Sequence, residues 1–192
     1  MSTAIFSATD IAIRDPRERL GRLQSRGALS LLNPADTRSL KSLRHTAVRA
    51  VIQRVSHAEV SVAGQSIGAI GPGLCVFLGI ARDDEEANVD RLADKLTKLR
   101  IFSDDNGKMN RSLHESRNGV LVVSEFTLYG DSRRGNRPSF TGAAGPEIAE
   151  KLYNCFVRRI RGLGLVVATG QFGANMQVAL INNGPVTFIL ES

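Results

Sequence analysis

Histidine and cysteine are scarce in this chain, three and two among 192 residues, and that scarcity removes whole classes of chemistry. Two cysteines, Cys75 and Cys155, make no disulfide framework. Each sits in an apolar periodic context, as buried free thiols of a reducing compartment do. His45, His57 and His114 are scattered, so neither residue type offers the ligand spacing of a metal centre. There is also no Walker A loop, no paired C-x-x-C, no H-E-x-x-H and no G-x-S-x-G elbow. A Ser-His-Asp hydrolase needs a histidine beside Ser124 or Thr127, and nothing in the sequence puts one there. An enzyme built from what remains works through positioning and backbone donors, without a cofactor. No apolar run approaches the roughly 20 residues that span a bilayer, so no membrane partner is expected.

The net charge of +6 is unevenly placed. Residues 1–47 hold eight Lys/Arg against four Asp/Glu, and residues 48–192 hold seventeen against fifteen. The main part of the chain is therefore close to neutral, and charge alone does not mark it as a nucleic-acid binder. Residues 1–47 are rich in Arg, Ser and Thr, are interrupted at Pro16, Gly21, Gly27 and Pro34, and show no sustained period. They read as an N-terminal extension, either disordered or a targeting or upstream segment. Asp10, Asp15, Glu18 and Asp36 make it more acidic than transit peptides usually are. Cytoplasm is the expected compartment, with an organelle as the alternative if the extension is a transit peptide.

From Arg49 the apolar pattern sharpens. Ala50 to Val55 and Ala58 to Val62 read as two strands, Gly64-Gln65 as a turn and Ser66 to Ile70 as a return strand. Leu74 to Ile80 is a continuous apolar run, as in a strand buried on both faces. Asp83 to Glu86 form the acidic first turn of a helix carrying Val89, Leu92, Ala93, Leu96 and Leu99 on one face. A hairpin is expected over Arg100–Asn110, with its turn at Asp104 to Gly107. Val120 to Tyr129 reads as one strand whose apolar run is interrupted by Ser124 and Thr127. The polar loop from Gly130 to Thr141 carries Arg133, Arg134 and Arg137; it is either a holder of phosphates or an RNA end, or ordinary surface charge. Pro146 opens a second helix with Ile148, Leu152, Cys155, Phe156 and Ile160 on its apolar face, ending at Gly162 and Gly164. Val166 to Thr169 is a short strand. Together these make one α/β or α+β domain of mixed strands with two main helices.

The stretch Met176 to Leu190 is β-branched and apolar on both sides of Asn182-Asn183-Gly184-Pro185. Proline donates no N–H, glycine admits unusual backbone angles, and an X-Pro bond is where a cis peptide is cheap. Two readings stay open from these residues alone: a turn between hairpin strands, or a rigid backbone corner facing a ligand.

Five segments together resemble one family, the D-aminoacyl-tRNA deacylases, also called D-tyrosyl-tRNA deacylases. They are Arg49 to Val55; Arg100 to Ser103 with Gly107 to Asn110; Val122 to Leu128; Arg137 to Phe140; and Met176 to Val178 through Asn183 to Thr187. They fall in the family's order over about residues 48–192, with Val48 as the natural domain start. The resemblance implies a homodimeric editing hydrolase with active sites at the subunit interface. It would cleave the ester joining a D-amino acid, or glycine mischarged on alanine tRNA, to the tRNA 3′ end. Gly184-Pro185 matches the family's Gly-cisPro motif, which reaches into the partner's pocket and excludes L-amino acids. Arg54 matches the arginine bracing that motif, and Ser124, Phe126 and Thr127 match the stretch lining the pocket. Met176 and Ala174 join them as substrate-binding candidates. The resemblance also implies assistance by the terminal ribose 2′-OH.

A backbone wall suits such a task, because it rejects a side chain by sterics whatever its chemistry. Two positions differ from the family pattern: Glu125 stands where glutamine is usual, and Asn183 where aspartate is usual. In a strand, Glu125 points away from the face of Ser124 and Phe126. Both differences are expected to be tolerated. The competing readings are a non-catalytic RNA-binding dimer and a conventional Ser/Thr esterase using Thr127.

Overall fold

The computed structural model describes residues 47–192; all but the last residue of the expected N-terminal extension lies outside them. The long strand β1 (Arg49–Val62) is the spine of the sheet. Its buried residues are Ala50, Ile52, Val55, Ala58 and Val60, so the inward alternation slips by one on either side of Val55. Irregular pairing with the last strand falls at the same place, between Gln53 and His57. Such irregularities bend a strand and let its two halves serve different surroundings. The sequence reading of two strands here is therefore corrected to one strand that is bent.

One edge of β1 pairs along its length with β8 (Met176–Glu191). Its other edge pairs first with β3 (Gly73–Gly79) and then with β2 (Gln65–Ile70), both antiparallel. Beyond β3 come β6 (Gly119–Ser124) and β7 (Val167–Thr169), both added in parallel. The sheet curls until β7 meets β2: a Cβ on Gly68 would lie 2.7 Å from the Thr169 carbonyl oxygen.

That curl divides the interior into two clusters. On one face Ile52, Leu74, Val76, Val120 and Val122 pack under α1 (Glu86–Lys98) and α3 (Pro146–Gly162). On the other, Val55, Val60, Cys75, Leu121 and Val123 pack inside the curl, against Val178 and Leu180 of β8. The central strands β3 and β6 are thus buried on both faces, as the unbroken apolar run of β3 suggested.

Both expected helices form. Val89, Leu92 and Leu96 of α1 and Leu152, Phe156 and Ile160 of α3 are buried, and Arg159 of α3 binds Asp94 of α1 at 3.0 Å. That hydrogen bond first, and the guanidinium charge with it, lowers the Asp94 pKa. Two members of the expected α3 stripe differ: Ile148 is exposed, and Cys155 is only partly buried. The hairpin β4 (Arg100–Ser103) and β5 (Met109–Ser112) forms as expected, followed by the single-turn helix α2 (Leu113–Ser116). Asp104 Oδ1 closes its turn by accepting from Asn106 N at 2.9 Å and Lys108 N at 3.0 Å.

Two readings of the sequence are corrected here. The strand expected from Val120 to Tyr129 stops at Ser124, and Phe126–Tyr129 forms a 3₁₀ turn. The stretch from Met176 to Leu190 is no hairpin, because both halves pair with the same strand, β1.

Candidate active site

The carboxyl ends of the parallel strands β3 and β6 lie side by side, with Leu78 opposite Ser124. Ligand crevices in α/β sheets form beyond such ends, where the chain leaves the sheet and side chains diverge. A cavity of about 700 Å³ opens there. Its walls are largely apolar: Phe77, Phe140, Tyr153, Phe172, Met176 and Val178. The Tyr153 hydroxyl donates to the Val122 carbonyl at 2.8 Å, and burial pushes its pKa up to about 12, so it serves as a fixed neutral wall.

The end of β6 shapes one side. Glu125 N donates to Leu78 O at 2.8 Å, and then the backbone turns. The Glu125 carboxylate caps the turn, with Oε1 accepting from Thr127 N at 3.3 Å and from the Thr127 hydroxyl. Phe126, 58% exposed, meets Phe140 edge-on with ring centroids 5.1 Å apart. Behind the turn, Arg49 donates to Leu128 O at 2.6 Å, lies 5.2 Å from the Tyr129 ring centre and pairs with Glu191 at 2.6 Å. Burial first, and the nearby Asp84 charge after it, raises the Tyr129 pKa beyond any physiological range.

A second constellation interrupts the β1–β8 ladder. Gln53 pairs with Thr187 and Val55 with Asn182, so the four residues Asn183 to Val186 stand opposite Arg54 alone. The Gly184–Pro185 peptide bond is cis. Asn182 Oδ1 accepts from Val186 N at 3.0 Å across the excursion, while its amide nitrogen donates to Gln53 and, at 3.4 Å, to Thr187. Arg54 Nε donates to Asn183 O at 3.0 Å and Nη1 to Ile101 O at 2.6 Å, tying the excursion to β4. Gly184 has φ +132°, and a Cβ there would lie 2.7 Å from Val186 Cγ2 and 3.0 Å from Arg54 Nη2. Only glycine fits.

Of the residues singled out in the sequence, Ser124, Phe126, Ala174 and Met176 line the cavity. Thr127 does not line it and touches it only through Glu125. Arg54, Gly184 and Pro185 form the separate excursion and do not line the cavity of their own chain. Glu125 is corrected: it lines the same cavity as Ser124 and Phe126, because the strand that would have turned it away has ended. Asn183 engages Arg54 through its backbone carbonyl, so the brace does not depend on its side chain. Arg82, Tyr153 and Phe172 were not foreseen, and Phe140 was noted only within the segment Arg137 to Phe140. They come from four separate segments, and no local spacing links them.

A mixed α/β domain with one largely apolar pocket beyond its parallel strand ends is a scaffold for holding a small group against fixed backbone and polar atoms. The family model for D-Tyr-tRNA(Tyr) deacylase matches residues 51–191. The chain is 57% identical over 145 residues to the D-aminoacyl-tRNA deacylase of Symbiobacterium thermophilum, covering 76% of this chain and 96% of that protein. It is 59% identical over 145 residues to that of Desulfatibacillum aliphaticivorans, covering 76% and 99%. Among solved structures, c-Myc DNA Unwinding Element Binding Protein is 42% identical with a TM-score of 0.71, covering 75% of this chain and 98% of that one. A probable eukaryotic D-amino acid tRNA deacylase, 17% identical with a TM-score of 0.68 over 77% of this chain and 100% of that one, shares the fold. The chain belongs to the D-aminoacyl-tRNA deacylase family, hydrolases that act on aminoacyl-tRNA.

Proposed function

We propose that the chain works as a homodimer that cleaves D-aminoacyl and glycyl esters from the tRNA 3′ end and rejects L-aminoacyl esters with its Gly184-Pro185 corner. The observation that carries this is a separation. The excursion is braced and exposed, yet within one chain it does not line the cavity. A rigid corner of this kind acts as a wall only against a pocket on another chain.

The surface around it supports such an association. Among the described residues no strand pairs with the outer edge of β8, and Ile181 and Ile189 on that strand are 62% and 67% exposed. An open edge with apolar side chains is a pairing surface. The tRNA would lie along the loop at the cavity rim. Arg133 is held by Asp131 at 2.7 Å, whereas Arg134 and Arg137 are exposed and form no ion pair among the described residues. Phosphates are natural partners for such arginines. With Thr127 outside the cavity lining, assistance by the terminal ribose 2′-OH is the favoured route for the hydrolytic step.

Release of amino acid from D-Tyr-tRNA and L-Tyr-tRNA, followed in parallel, tests the reaction; cleavage of both esters would refute the chiral wall. Mixing a Gly184→Val chain with a chain whose cavity is blocked tests the cross-subunit arrangement. Mixed dimers should recover activity that neither variant has alone.

A further inference from the structure

The 3₁₀ turn Phe126–Tyr129 is capped by Glu125, and a cap within two residues fixes a turn's shape but not its place on the sheet. Its place is set from behind, by two residues that face each other across the β1–β3 ladder, Arg49 and Gly79. Directly opposed residues of an antiparallel pair send their side chains to the same face. Gly79 sends none. A Cβ there would lie 2.9 Å from the Tyr129 ring, 3.0 Å from Glu125 O and 3.3 Å from Leu128 Cβ, so the turn fills the space of the missing side chain. Arg49 donates to Leu128 O at 2.6 Å and is the one charged donor to the turn's backbone among the described residues. Glu191 at 2.6 Å and the Tyr129 ring at 5.2 Å aim its guanidinium. The Tyr129 hydroxyl pins the far end of the turn, donating to Ala47 O at 2.5 Å.

We propose that Arg49 is a positioning residue for the hydrolysis: it draws the turn onto the seat that Gly79 leaves open, and so sets how far Glu125 and Phe126 stand into the cavity. This rests on the deacylase reaction of the family. Arg49 is outside the cavity lining and acts only through Leu128. A wall misplaced by about 1 Å can cost about 100-fold in rate. The loop that follows the turn is anchored on its own. Asp131 and Ser139 exchange backbone bonds of 2.8 and 2.9 Å, and Arg82 N donates to Gly142 O at 3.1 Å. Loss of Arg49 therefore moves the wall and leaves the loop in place, so kcat changes and KM does not.

The test is a double-mutant cycle in the full chain with D-Tyr-tRNA as substrate. Arg49→Met keeps an apolar stem and removes the donors; it should lower kcat about tenfold or more, with KM within about twofold of wild type. Gly79→Ala fills the seat and should lower kcat about fivefold or more. Because both changes act on one turn, the double variant should fall within about twofold of the less active single variant. Hydrogen exchange of the Glu125 amide, bonded to Leu78 O at 2.8 Å, reports without substrate whether the turn is seated. It should quicken about tenfold in Arg49→Met. The Gly170 amide, bonded to Val122 O at 3.0 Å, should exchange as in wild type, which separates a lifted turn from a loosened sheet. A kcat within about twofold of wild type in Arg49→Met, single losses that multiply in the double variant, or an unchanged Glu125 exchange rate overturns the proposal. If exchange shows the Arg49 dependence while wild type leaves D-Tyr-tRNA intact, the hold on the turn stands and the deacylation reading falls.

Discussion

Two strands of this protein break away from their ladders, and they break in opposite ways. β6 stops at Ser124, and its continuation is held by the adjacent residue, Glu125, whose carboxylate caps the turn. β8 departs at Asn183 and rejoins at Thr187, and its excursion is held by Arg54, 129 residues distant in sequence, which also grips β4. The local break makes a concave wall and the long-range one a convex corner. A cap within two residues is formed as soon as the turn is, whereas a brace from another strand exists only after the sheet has closed. Rigidity at the corner therefore depends on the whole fold, and rigidity at the wall on three residues.

The largest effect should come from Gly184→Val. Its backbone angle and the 2.7 Å approach to Val186 exclude a branched side chain. Forcing one there costs roughly 1–3 kcal/mol locally and displaces the corner. Deacylation of D-Tyr-tRNA should fall by about 100-fold or more, with the far-ultraviolet spectrum unchanged. Arg54→Ala comes next. It strips the Asn183 and Ile101 carbonyls of their donor, and bonds from a charged group are worth about 1.5–3 kcal/mol each. A loss in kcat/KM of about 10- to 100-fold is expected, and activity within twofold of wild type would show that the excursion holds itself.

On the concave side the expected changes are smaller. Thr127→Ala removes the hydroxyl bond to the Glu125 carboxylate, leaves the backbone N–H bond in place, and should lower kcat/KM only about three- to tenfold. A loss of about 10⁴-fold or more would instead make the hydroxyl a nucleophile. Asp104 links pH to the corner, because it closes the hairpin whose Ile101 carbonyl Arg54 holds. The Lys108 N–H first, and the Asn110 side chain after it, hold its carboxyl below the usual range. A depressed folded value means that its contribution is fully present above the unfolded pKa of about 3.9 and is lost as pH falls through the lower folded one. Asp104→Asn should therefore narrow the drop in melting temperature between about pH 6 and about pH 3. Smallest of all should be Asn183→Asp, within about twofold in kcat/KM, because Arg54 reads that residue through its backbone carbonyl.

Much of the scaffold was legible from local pattern. The helical stripe of Val89, Leu92 and Leu96, the doubly buried β3 and the Asp104–Gly107 turn each follow from periodicity or turn chemistry within a few residues. The three misreadings share a cause. Val120 to Tyr129 turns apolar again at Phe126 and Leu128, so the polar pair Ser124-Glu125 reads as an interruption of one strand and not as the change from strand to 3₁₀ turn. The two halves of β1 looked separate because the alternation slips at Val55, which is a bend and not an end. The final stretch looked like a hairpin because Asn-Gly-Pro is turn chemistry, yet β1 offers one continuous edge long enough to pair with both flanks. The fate of a strand end is decided by which edge is free, and an edge belongs to the sheet.

The sequence by itself determined the α/β character, the two long helices, the family and the special place of Gly184-Pro185, because each is written in short-range pattern or in side chains with few backbone options. Only the tertiary structure decided that Glu125 shares a cavity with Ser124 and Phe126, that Arg54 braces the corner through two carbonyls, and that corner and cavity lie apart within one chain. Those facts depend on where strands end and which edges they pair with. Such choices are set by the summed burial of two core clusters across the sheet, and no single stretch of residues contains that sum.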